Sequence, residues 1–79
     1  MNGELPHQII AERLAAYLGP NTAQVAVRTF AGRACGCLPH ELTRNDVPRL
    51  VEALRPMLRT LLGGDGAEEL LQRVSEDFR

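Results

Sequence analysis

The amino-acid sequence predicts an all-α fold: a compact four-helix array with short loops, its third helix the longest and kinked at Pro56. Three observations lead there. Apolar residues recur at helical spacing in four stretches, and Gly or Pro punctuates the junctions between them. Aromatics are limited to Tyr17, Phe30 and Phe78, with no Trp, so the core falls to Leu, Val, Ile and Ala. The few β-branched residues do not alternate as a half-buried strand requires. A chain of 79 residues is read as one domain, 1-79, with helices roughly over 6-18, 22-35, 46-62 and 66-77.

Pro6 opens the first helix, where its missing N–H costs nothing. Ile10, Leu14, Tyr17 and Leu18 form its apolar stripe, and Gly19–Pro20 stops it. Asn21 or Thr22 caps the second helix. Ala23, Val27, Phe30 and Ala34 line one face of it, with Ala26 and Ala31 beside them, small enough for another backbone to approach. Gly32 weakens this helix by about 1 kcal/mol relative to Ala. Residues 36–42 connect, pinned to the core by Leu38 and Leu42.

Asn45 caps the third helix, and Thr43-x-x-Asp46 resembles a capping box. Val47, Leu50, Val51, Leu54, Leu58, Leu61 and Leu62 make the strongest stripe in the chain. Pro56 removes the hydrogen bond to the Glu52 carbonyl, which predicts a bend and not a break, because the stripe continues past it. Gly63–Gly64 ends the helix, and Asp65-x-x-Glu68 forms a second capping box. Ala67, Leu70, Leu71, Val74 and Phe78 make the last amphipathic helix. No internal repeat or low-complexity tract is visible.

The chain is 44% hydrophobic and 24% charged, the composition of a folded domain. Its net charge of −1 lacks the basic excess of a nucleic-acid-binding domain. All nine basic residues are Arg, the codon bias of a GC-rich, bacterial genome. No apolar run reaches 18 residues, so no membrane span is expected. MNGELPHQ lacks the basic and long apolar regions of a signal peptide, and the cysteines then fit a reducing cytoplasm.

Four constellations bear on function. Cys35-x-Cys37-x2-His40 offers three soft ligands within six residues, but zinc takes four, and a fourth comes only from His7 or Glu41. The expectation is a helix connection with no metal and no cofactor; a small Cys/His metal-binding protein is the alternative. Residues 11–30 have the outline of a helix-turn-helix, with Ala15 and Gly19 at its small-residue and turn positions. Pro20 and Arg28 fall where that motif is apolar, and the face with Asn21, Thr22, Ala23, Ala26 and Val27 is poor in base-reading groups. DNA binding stands as a second alternative. Arg28, Arg33, Arg55 and Arg59 form a basic face that pairs with carboxylates such as Glu52 or meets an acidic partner. Ser75 is the single serine, no glycine-rich phosphate loop occurs, and no enzyme activity is expected.

Leu18-Gly19-Pro20 followed by Val27-Arg28, between leucine-rich helices, resembles a small helical accessory module near the C-termini of some bacterial serine/threonine kinases and signalling proteins. The likeness spans residues 11–74 and implies a regulatory or interaction role with no catalytic residues. Ile9, Val25, Met57 and Leu62 lie at or beyond the edges of their stripes. The expected function is a protein–protein interaction module. Its partner is another protein or a second copy, as in a homodimer, met through Val25, Met57, Leu62, Arg55 and Arg59.

Overall fold

Helix α1, Pro6–Leu18, begins where Leu5 N–H donates to Gln8 Oε1 at 2.8 Å, and Pro6 takes the first helical position. The computed structural model describes residues 5–78, so the start of the MNGELPHQ segment lies outside it. Every regular element among the described residues is helical. Helix α2, Pro20–Phe30, follows with one residue between. Gly19 at φ 88, ψ 156 donates its N–H to the Ala15 carbonyl at 2.9 Å and accepts from Ala23 N–H at 3.0 Å. It closes one helix and opens the next. Pro20 therefore starts α2 two residues before the expected boundary, and neither Asn21 nor Thr22 caps it.

Past Phe30 the chain winds into a wider π-helical turn, Ala31–Cys35, and stops at Gly36 in the left-handed region. Ala31 is buried there and Cys35 packs against the core. Two 3₁₀ turns follow, Pro39–Glu41 and Arg44–Asp46. The Thr43–Asp46 box forms, with Thr43 N–H and Oγ1 on Asp46 Oδ2 at 3.0 and 3.1 Å. It closes the second 3₁₀ turn, and Asp46, not Asn45, is the N-cap of α3. Of the two leucines only Leu42 pins the connection, with Cys37 also packed on the core; Leu38 is 56% exposed.

Helix α3 runs Val47–Asp77, so the described residues hold three α-helices and not four. The segments expected separately over 46-62 and 66-77 lie in one element, kinked at Gly63 with φ 80, ψ 167. The backbone stays helical through Pro56, which is exposed, as is Glu52, whose carbonyl loses a donor there. The expected box at Asp65 does not form: the non-helical residue is Gly63, so Asp65 already lies inside the helix, and Glu68 bonds Arg55. The radius of gyration, 11.3 Å, matches the roughly 11.6 Å of a compact domain of this length.

Gly19 and Gly63 share one backbone conformation, and the 44-residue step between them (63 − 19) recurs through the core. Ile10 and Leu54, Leu14 and Leu58, Ala23 and Ala67, Ala26 and Leu70, Val27 and Leu71 are all buried. Residues 7–30 and 51–74 are thus two helix–glycine–helix units. Few aligned residues are identical: Leu14 with Leu58, Leu18 with Leu62, Gly19 with Gly63, Ala23 with Ala67. The repeat lives in backbone and burial, which corrects the expectation of none.

Arg13 ties α1 to the end of α3, its guanidinium gripping the Asp77 carboxylate at 2.6 and 2.9 Å. That contact holds Asp77 below its ordinary range, and Arg55 does the same to Glu68. A carboxylate depressed on folding stabilises above its unfolded pKa, about 4, and that contribution disappears as pH falls through the folded value. Urea midpoints measured from about pH 6 to about pH 3 should therefore fall. In the Arg13→Ala/Arg55→Ala variant the drop should be shallower.

Candidate functional site

Two clefts occupy the same place in the two units. The first, about 830 Å³, lies between α1 and α2; the second, about 420 Å³, lies across the Gly63 joint of α3. Six lining residues correspond at the 44-residue step: His7 with Val51, Gln8 with Glu52, Ala11 with Arg55, Gln24 with Glu68, Val27 with Leu71, Arg28 with Gln72. Helical spacing explains the match, since positions 7, 8 and 11 share one helix face and 24, 27 and 28 share another.

The second groove is bridged by the chain itself. Arg55 lies across it, bonded to Glu68 from beyond the joint and to both oxygens of Glu52, Nη2 to Oε2 at 3.0 Å and Nε to Oε1 at 3.3 Å. Arg44 stacks over the Phe78 ring 5.5 Å from its centroid, and both line the same groove. The first groove has no such bridge. Ala11, Ala15 and Val27 make its floor, and Gln8, Gln24, Arg28 and Glu12 its rim. His7 Nδ1 is buried there without a hydrogen-bond partner. Gln8 Oε1 is engaged by Leu5 N–H, which leaves its amide N–H groups for an occupant. Leu5 is 43% exposed and immediately precedes the helix that carries His7 and Gln8; exposed Leu38 immediately precedes Pro39, which lines the groove.

The structure scatters the residues expected at a partner interface. Val25 is 53% exposed on α2, whereas Met57 and Leu62 are partly buried and pack against the core. Ile9 is half-buried. Arg55 is spent on Glu52 and Glu68, while Arg59 is exposed. Leu61, not Leu62, is the exposed leucine of that turn, at 54%. A period of 3.6 places these neighbours about 100° apart, and the kink at Gly63 decides which one faces solvent.

Cys35 and Cys37 are free thiols, half-buried, and burial raises the pKa of both. Cys35 Sγ lies 3.9 Å from the Asp46 carbonyl oxygen. Among the described residues no three His, Cys, Asp or Glu side chains converge to hold a metal ion. Of the face that a helix-turn-helix would lay on a base-pair edge, Ala23, Ala26 and Val27 are buried and Asn21 and Thr22 are exposed. Ser75 lines the second groove, where no histidine accompanies it. No helix among the described residues is long and apolar enough to cross a membrane.

No protein family, curated protein or solved structure matches this chain.

Proposed function

We propose that the chain is a non-catalytic protein–protein interaction module whose binding surface is the α1–α2 groove with the exposed leucines beside it, and that a second copy is one of its partners. One observation carries the reading. The same chain builds the groove twice, bridges the smaller one with its own Arg55, and leaves the larger one unbridged over an alanine. A pre-formed cleft with an apolar floor and a few convergent polar groups is the ordinary shape of a recognition site. The likeness to accessory modules of bacterial signalling proteins points the same way.

Two further features belong to this reading. The array works as four helical arms, because Gly63 has the joint conformation of Gly19. The setting is a bacterial cytoplasm, in keeping with two free thiols and a chain without lysine.

Native mass spectrometry of the reduced protein over a range of concentrations tests the self-association. The expected result is a metal-free dimer that grows with concentration and is lost in Leu5→Glu/Leu38→Glu, with far-UV circular dichroism unchanged. A protein that stays monomeric at the highest concentration removes the second copy as a partner. A mass excess of one zinc per chain would replace this reading with a metal site at Cys35, Cys37 and His40.

A further inference from the structure

We propose that the α1–α2 groove binds the carboxylate of an acidic side chain, Asp or Glu, presented by a partner polypeptide. This rests on the interaction reading above and names the chemistry of the occupant. The slot has a counterpart in the same chain. In the second unit a guanidinium, Arg55, lies between two carboxylates, Glu52 and Glu68. In the first, Ala11 leaves the slot empty, and amides of the same length, Gln8 and Gln24, replace both carboxylates. A guanidinium placed there would find no anion at either position.

Of the remaining substitutions, one adds a donor. Arg28 stands where the second unit has neutral Gln72, and no ion pair among the described residues engages it. His7 replaces Val51 and brings a buried ring nitrogen without a partner. Gln8 has its oxygen occupied and its N–H groups to give. The polarity of the slot is thereby reversed: a cation among anions in one unit, a set of N–H donors awaiting an anion in the other. Arginine with flanking amide donors suits a planar carboxylate, which accepts two parallel hydrogen bonds. Glu12 also lines this groove and is its one acid, against the donors of Arg28, Gln8 and Gln24. Ala11, Ala15 and Val27 leave an apolar floor for the residue beside the acid.

The test is an NMR titration of the ¹⁵N-labelled protein with three blocked tripeptides at millimolar concentration: acetyl-Leu-Glu-Leu-amide, acetyl-Leu-Gln-Leu-amide and acetyl-Leu-Lys-Leu-amide. The glutamate peptide should give saturable shifts of the Gln8 and Gln24 side-chain amides and of Arg28 Nε–H. The other two should bind at least about tenfold more weakly. Arg28→Gln should lose the effect. So should Gln8→Glu/Ala11→Arg/Gln24→Glu, which transplants the second unit's slot into the first; should that variant not fold, Arg28→Gln carries the test. Equal shifts from all three peptides would overturn the carboxylate assignment and leave the interaction reading standing. Shifts from none would overturn the assignment, with native mass spectrometry judging self-association separately.

Discussion

Leu58→Ala should lower the unfolding free energy by about 2–5 kcal/mol, the range for deleting a buried leucine side chain. Leu58 is 0% exposed and so is its counterpart Leu14, so Leu14→Ala should fall in the same range. The whole domain is worth roughly 4–12 kcal/mol at 79 residues, so either change removes a large share and could leave the chain partly unfolded. The surrounding core is built from Ala, Val, Leu and Ile, with no buried polar residue among the described ones, so the void left by the missing methyls has little to fill it. Urea unfolding followed by far-UV circular dichroism reads both numbers. Leu61→Ala, at a 54% exposed position, should move stability by less than about 0.5 kcal/mol.

Gly63→Ala should destabilise by about 1–3 kcal/mol, and Gly19→Ala by a similar amount. The cause is backbone strain and not crowding. A Cβ at either position meets nothing within 4 Å, yet φ is +80 at one and +88 at the other, with ψ near extended values that only glycine visits readily. Gly32 separates the two effects. It also has open space around a new Cβ but no positive φ, so Gly32→Ala should raise stability by up to about 1 kcal/mol. If all three alanine variants behave alike, Gly19 and Gly63 are not strained joints.

The parts of the fold legible in the sequence are those written locally. Ile10, Leu14, Leu50, Leu54, Leu58, Leu70 and Val74 fall on helical stripes and are buried. Junctions were legible as punctuation but not as geometry. Gly19–Pro20 reads as a stop, yet one glycine turns the chain while Pro20 already belongs to the next helix. Pro56 reads as the kink of α3, yet an exposed proline of helical φ is carried along and the kink falls at Gly63. Met57 and Leu62 read as leftovers because a stripe drawn on one helix ignores the second layer that packs beside it.

The groove was illegible for a different reason. Its rim comes from Gln8 and Gln24, on separate helices, and its character lies in what Ala11 does not supply. The one signal in the sequence is the pair of triplets Gln8–Ala11–Gln24 and Glu52–Arg55–Glu68 at the same step. It becomes meaningful only once Gly19 and Gly63 are seen to be the same joint. Cys35 and Cys37, the most conspicuous chemistry in the chain, sit at the end of a widened helical turn away from both grooves.

The claim that the α1–α2 groove is the partner-binding surface is tested most directly by site-specific photo-crosslinking in the cell that makes the protein. A photoreactive residue replaces Gln24, on the rim of the larger groove, or Gln72, on the rim of the groove that Arg55 bridges. The account predicts an adduct to a discrete polypeptide or to a second copy from position 24, and none from position 72. Adducts from position 72 alone, or none from position 24, would contradict it.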